Sequence, residues 1–260
     1  MKKILVTGAN GQLGKCLRDL VSKNPSPKYQ FLFMDRSQLD VSKKELVETF
    51  FFTNKIDYCV NCAAYTAVDL AETDAENAFK ANADAVKYLA EECAEQNATL
   101  IHISTDYVFD GTKNEPYLPN DSTNPINVYG KSKREGERWA LQKNLKTIVI
   151  RTSWVYSQYG KNFYTTMVRL MQERDELSVV SDQIGKPTNA NDLAAYIYNL
   201  ILSNDTDYGL RHFSGKEQMS WFEFAQKIAN ENGFTTKINP IPTSQYPTPA
   251  KRPMWSVLGE

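Results

Sequence analysis

The 260-residue chain lacks any run approaching the ~18 consecutive apolar residues of a membrane span. Met1-Lys2-Lys3-Ile4 leads straight into a strand-like stretch, with no apolar core of a secretion signal, so no membrane partner is expected and a cytoplasmic location is. Charge of one sign is lacking too. With 30 basic against 31 acidic residues the net charge is -1, which gives no footprint for a nucleic-acid partner. Cys16, Cys59, Cys62 and Cys93 are too few for a disulfide framework in a chain this long, and Cys59-Val60-Asn61-Cys62 has no second ligand pair, so no metal site is expected. Of the two histidines, His102 lies within an apolar strand and reads as a core imidazole, and His212 follows the same logic.

What is present begins at the N-terminus. Ile4-Leu5-Val6 is followed by Thr7-Gly8-Ala9-Asn10-Gly11-Gln12-Leu13-Gly14 and then by Leu17, Leu20 and Val21 at helical spacing, which predicts strand, glycine turn and helix. Gly8, Gly11 and Gly14 let backbone turn tightly and approach a pyrophosphate, whose charge the first N–H groups of the helix can meet. The next strand-like run, Tyr29 to Met34, is closed by Asp35-Arg36. Asp35 could accept a hydrogen bond from an adenosine 2′-hydroxyl and Arg36 could pair with a 2′-phosphate, so both NADH and NADPH stay open as cofactors.

Helical and strand patterns then alternate: Lys43 to Phe52, Tyr58-Cys59-Val60, Ala75 to Asn97 and Leu100 to Ile103. Alternation of this kind predicts an α/β fold with a parallel sheet and helices on both faces, in which ligands bind beyond the carboxyl ends of the strands. Gly8, Ala63-Ala64 and Thr105 fall at such ends, where small residues admit a ligand to the backbone and a threonine hydroxyl can reach a substrate oxygen. Downstream, Tyr129 is the one tyrosine with lysine at plus four, and i, i+4 neighbours share a helical face. Lys133 beside Tyr129 is expected to favour the phenolate and make the phenol a general acid. Alone, a Tyr-x-x-x-Lys pair says little. Phe163, Met167, Leu170 and Met171 share one helical face and read as core.

In order, Gly8-x-x-Gly11-x-x-Gly14, Asn61-Cys62-Ala63-Ala64, Ser104-Thr105-Asp106 and Tyr129-x-x-x-Lys133 resemble the extended short-chain dehydrogenase/reductases. Within that group the chain is similar to the dTDP-4-dehydrorhamnose reductase family. The likeness runs through Ala63 to Asp69, Ser104 to Gly111, Arg151-Thr152-Ser153-Trp154-Val155-Tyr156, Asp182 to Thr188 and Tyr246 to Pro253. It implies reduction of the 4-keto group of a dTDP-linked 6-deoxyhexose, toward dTDP-L-rhamnose for cell-surface polysaccharide. Tyr129 is then the proton donor, Lys133 also bonds the nicotinamide ribose, and Thr105 bonds the sugar oxygen. The likeness assigns Gly11, Gln12 and Leu13 to the pyrophosphate, Asp40 and Val41 to the adenine, and Ala64, Tyr65 and Thr66 to the inner half of the cofactor. Asp106 and Trp154 fall to the sugar, and Lys251 and Arg252 could meet its diphosphate.

The expected fold is a Rossmann-type doubly wound parallel sheet over 1–155, with 184–203 returning to it, and a smaller substrate lobe over 156–183 and 204–260. Relatives continue past the position of Glu260 into further helical structure, so a shortened lobe is expected. Relatives with magnesium at a dimer interface use carboxylates where this chain has Cys16 and Asn191, which leaves monomer and homodimer both open. The rival readings are a non-catalytic nucleotide-binding regulatory subunit on the same scaffold and another extended-family sugar-nucleotide reductase or epimerase. Tyr107 stands where dTDP-glucose dehydratases have a second acid after Thr-Asp, which speaks against a dehydratase.

Overall fold

The computed structural model describes residues 1–260. Its frame is a six-stranded, all-parallel sheet made of β1 (Lys2–Thr7), β2 (Tyr29–Met34), β3 (Tyr58–Asn61), β4 (Thr99–Thr105), β5 (Thr147–Thr152) and β10 (Gly209–His212). The spatial order β2-β1-β3-β4-β5-β10 reverses between β1 and β3, so the crevice for a ligand opens at their carboxyl ends.

The central strands β1, β3, β4 and β5 are largely apolar on both sides because helices cover both faces. Ile4 and Val6 of β1 join Val60, Ile101 and Ile150 under α1 (Gln12–Lys23) and α8 (Ala190–Ser203). Leu5, Cys59, Leu100 and Val149 point the other way, toward α2 (Lys44–Thr53), α5 (Ala85–Glu95) and α6 (Val128–Lys143). Cys59 and Cys62, three positions apart along extended chain, thus face opposite sides of the sheet. The α8 turn ends where Asn204 adopts a left-handed φ of 50°, which sends the chain back to the sheet.

A smaller layer carries α7 (Phe163–Glu173), β7 (Glu176–Val180), α9 (Trp221–Asn232) and β12 (Lys237–Ile241), with Met167 and Met171 packed on Phe224 and Ile228. Both of its helices start on capping boxes: Asn162 with Thr165, and Ser220 with Glu223. Short strands β6 (Val155–Tyr156), β8 (Ile184–Gly185), β9 (Thr188–Asn189) and β11 (Met219–Ser220) stitch this layer to the frame.

Two expectations need correction. Residues 209–212 were assigned to the lobe, but β10 pairs with β5 in parallel and is the edge strand of the main sheet. A four-residue, half-buried strand with a single aliphatic side chain carries too weak a pattern to separate it from lobe structure. The helix expected over 75–97 runs unbroken from Ala75 to Glu95 but is not uniformly α: α4 (Ala75–Phe79) passes through a π turn at Lys80–Asp84 before α5. That widened turn brings Asn82 inward, where its side chain accepts from Tyr65 N (2.8 Å) and donates to Tyr65 O (3.0 Å) and Ser132 Oγ (3.0 Å).

Candidate active site

The glycine turn after β1 is built by close approach. Gly8 has a φ of 62°, and a Cβ there would lie 2.6 Å from Ala63 N, so the turn and the end of β3 touch backbone to backbone. At Gly14 a Cβ would meet Gly8 O at 2.6 Å, so only glycine lets α1 start this near the turn. Gln12 and Leu13 open the helix with their N–H groups toward the crevice end, while their side chains are spent elsewhere. Leu13 is in the core, and Gln12 Oε1 accepts from Ser157 Oγ (3.0 Å) and Asn162 Nδ2 (2.9 Å). Any role of Gln12 and Leu13 toward a pyrophosphate is therefore through backbone.

Beyond this turn lies a cavity of about 570 Å³. Gly8 and Gly11 form one side, Asp35, Arg36, Asp40 and Val41 the second, and Ala63, Ala64 and Tyr65 the third; Thr66 is exposed and outside it. Asp35 is fixed by Asn10 Nδ2 (2.8 Å) and by the backbone N–H and hydroxyl of Ser37 (2.9 and 2.6 Å), which hold its carboxyl below its usual range. Arg36 is exposed and pairs loosely with Asp40 at 3.6 Å. Sequence reasoning missed Asn10, Lys43 and Lys80, which also line this wall. Asn10 lies inside the glycine motif, so its contact with Asp35 was open to inference; the two lysines carry no spacing signal.

Thr105 ends β4, and Tyr129 and Lys133 stand on the first turns of α6. Their convergence has a local cause. Asn127 caps α6 by accepting from Gly130 N (2.7 Å), and a Cβ on Gly130 would lie 2.1 Å from Tyr107 O, so the helix begins against the turn that follows β4. The Tyr129 ring meets Tyr107 edge to face at 5.8 Å, beside the end of β4 where Thr105 stands.

The electrostatics correct one expectation. Lys133 does not acidify the phenol: its ammonium donates to Ile103 O at 2.6 Å, and Tyr129 is pushed up to about 12 by burial, with the Asp106 carboxylate adding to the rise and Thr105 offsetting part of it. Burial also pulls Lys133 down to about 8. A phenol in this state holds its proton at neutral pH, which suits a donor.

The Thr105 hydroxyl is engaged by its own neighbours. It gives its proton to Asp106 Oδ1 (3.0 Å) and accepts from Tyr107 N (3.1 Å), leaving one acceptor position beside the Tyr129 phenol. Asp106 is itself buried, with Oδ2 unpartnered, and burial lifts its carboxyl to about 6.

The outer substrate residues sit differently from expectation. Trp154, at a left-handed φ of 49°, stacks on Trp221 with centroids 3.5 Å apart and planes 6° from parallel. One indole face is therefore taken, and a Cβ at Gly185 would come within 2.5 Å of the same ring. Arg252 does not stand free for a diphosphate: it forms a two-point pair with Asp69 (2.9 and 2.8 Å) and also donates to Ala250 O (2.8 Å). Lys251 is exposed, and its carbonyl accepts from Asn127 Nδ2 at 2.8 Å. His102 and His212 are core groups, bonded through Nδ1 to Asn61 (3.1 Å) and Gly259 O (2.8 Å).

The model of the RmlD substrate binding domain family matches residues 1–260. A dTDP-4-dehydrorhamnose reductase from Aggregatibacter actinomycetemcomitans is 42% identical over 99% of this chain and 90% of its own length. The crystal structure of a Clostridium acetobutylicum dTDP-4-dehydrorhamnose reductase is 40% identical, with a TM-score of 0.94 over 99% of this chain and 90% of that one. That of the Bacillus anthracis enzyme in complex with NADP is 38% identical, with a TM-score of 0.95 over 100% of this chain and 91% of that one. Glycine turn, switch-point cavity and Thr-Tyr-Lys cluster therefore stand in a chain that belongs to the dTDP-4-dehydrorhamnose reductase family.

Proposed function

We propose that this protein reduces the 4-keto group of dTDP-4-dehydro-L-rhamnose to give dTDP-L-rhamnose, with NADPH or NADH as reductant. One observation carries the chemical reading: the Tyr129 phenol, kept protonated by burial, stands on the first turn of α6 against the turn that follows β4, one helical turn from Lys133. The crevice fits a dinucleotide by its volume of about 570 Å³ and by the Gly8 and Gly11 backbone that lines it at the switch point. When bound, the reduced nicotinamide supplies the hydride to carbon 4 of the sugar. Tyr129 Oη gives its proton to the oxygen of that carbon, so negative charge does not build up there. Thr105 stands beside the proton donor at the end of β4, and Lys133 holds the cofactor ribose.

Gly8, Gly11, Gln12, Leu13 and Gly14 hold the pyrophosphate chiefly through backbone, and Asp35, Arg36, Asp40 and Val41 the adenosine half. No helix is long and apolar enough to cross a membrane, and the substrate class is a small nucleotide sugar. The layer of α7, α9, β7 and β12 forms the substrate lobe, and Trp154 offers the sugar the part of its indole that Trp221 leaves uncovered.

The test is incubation of the purified protein with dTDP-4-dehydro-L-rhamnose and each reduced nicotinamide, with identification of the product. Stoichiometric loss of reduced nicotinamide and formation of dTDP-L-rhamnose is the expected result. Cofactor binding with no consumption of the keto-sugar would favour the non-catalytic reading instead.

A further inference from the structure

Proton transfer at Tyr129 makes no use of one contact between the two layers. Gln12, the first residue of α1, reaches the loop that opens the smaller layer: its Oε1 accepts from Ser157 Oγ at 3.0 Å and from Asn162 Nδ2 at 2.9 Å. The direction of the second bond is fixed. Asn162 Oδ1 is taken by Thr165 N (2.9 Å) as the cap of α7, so the amide nitrogen faces Gln12 and can only donate. The loop has another fastening, from the Tyr159 hydroxyl to Asp19 on α1, so the bonds to Gln12 are not needed merely to keep it against that helix.

What they join is more specific. The N-cap of α1 is Gly11, which has no side chain to cap with, so the N–H groups of the first turn are left for an anion in the crevice. At the other end, Asn162 is followed by Phe163, whose ring packs on Trp221 with centroids 4.6 Å apart, and Trp221 stacks on Trp154. One glutamine amide thus connects the turn built for a pyrophosphate to the helix start on which the Trp221–Trp154 stack rests.

We propose that Gln12 is a positioning residue that couples filling of the glycine turn by the cofactor to sugar binding in the smaller layer. An anion on the first N–H groups of α1 fixes Gln12 and, through Asn162, the start of α7 beside the indole stack. The coupling is reciprocal, each ligand tightening the other by one factor. The proposal rests on the reading of dTDP-4-dehydro-L-rhamnose as substrate and of Trp154 as a sugar contact. It is tested by titration calorimetry of the full chain with the keto-sugar, with and without saturating NADP⁺, which binds but cannot reduce.

The wild type is expected to bind the keto-sugar at least about fivefold more tightly with NADP⁺ present. Asn162→Ser keeps a good cap for α7 and removes the donor to Gln12. In this variant the factor falls below about twofold, while NADP⁺ affinity in the absence of sugar stays within about threefold of wild type. Gln12→Ala lowers the factor at least as far, and Q12A/N162S lowers it no further than Q12A, because both act through one bond.

A factor unmoved in both variants, with only the melting temperature lowered, would overturn the proposal and leave the contact structural. So would a wild type whose keto-sugar affinity ignores NADP⁺. Should N162S fail to fold, Q12A decides, since the α7 cap and the Tyr159–Asp19 bond are untouched in it. Absence of keto-sugar binding under every condition would defeat the proposed activity and the proposal with it. Keto-sugar binding whose factor is lost on substitution, with no reduction by NADPH, would defeat the activity alone.

Discussion

Arg252 and Asp69 face each other through two hydrogen bonds of 2.9 and 2.8 Å across 183 residues of sequence, which ties the C-terminal segment to α3 (Val68–Ala71), just beyond the end of β3. Asn127, which caps α6, donates to the neighbouring Lys251 carbonyl, so the segment is held to both walls of the site.

If Arg252 serves as this anchor, Arg252→Ala and Asp69→Ala raise KM for the keto-sugar by similar factors, about tenfold, and leave NADPH affinity near normal. A double-mutant cycle on stability gives a coupling of about 0.5–1 kcal/mol, since the pair is half exposed. A residue that met the substrate diphosphate directly would behave otherwise, because only the arginine substitution would raise KM.

Asp106 makes stability depend on pH in a defined direction. Its folded pKa, near 6, lies above the ordinary carboxyl value of 3.8, so the folded chain binds the proton more tightly, and stability falls as pH rises through the window from about 4 to 6. His212, held down near 4 by burial, works against this by destabilising the fold as pH falls below its ordinary 6.5. Asp106→Asn isolates the first effect. Relative to wild type, D106N gains about 2 kcal/mol between pH ~4 and ~7 in urea unfolding, and an unchanging difference would contradict the assignment.

Two glycines should be intolerant for different reasons. Gly130→Ala places a Cβ 2.1 Å from Tyr107 O and must push α6 off the turn after β4, with an expected cost of about 1–3 kcal/mol. Calorimetry would read this as a melting temperature lower by several degrees, and kcat should fall with it. Gly185→Ala instead displaces the Trp154 indole, so KM for the keto-sugar rises while the NADPH affinity does not.

The parts of the site that were legible in the sequence are those coded by spacing over a few residues. Gly8, Gly11 and Gly14 predict the turn because backbone approach needs glycine at set intervals, and Tyr129 and Lys133 predict a shared helical face because four residues make about one turn. The two-faced burial of the strands was legible from their unbroken apolar runs. What could not be read depends on partners distant in the chain. Nothing local to Trp154 announces Trp221, and nothing local to Arg252 announces Asp69, so both appeared free for substrate. The Lys133 ammonium was expected beside the phenol because helical spacing fixes Cβ positions but not where a long side chain ends, and here it ends on Ile103 O. The Thr105 hydroxyl bonds the very next residue, a local partner that the motif alone does not reveal.

The central claim is that Tyr129 carries the proton delivered to the sugar oxygen. Its most direct test is Tyr129→Phe, which keeps the ring against Tyr107 and removes only the hydroxyl. Turnover of dTDP-4-dehydro-L-rhamnose is expected to fall at least about a hundredfold with NADPH affinity nearly intact. Turnover near the wild-type rate in that variant would contradict the account.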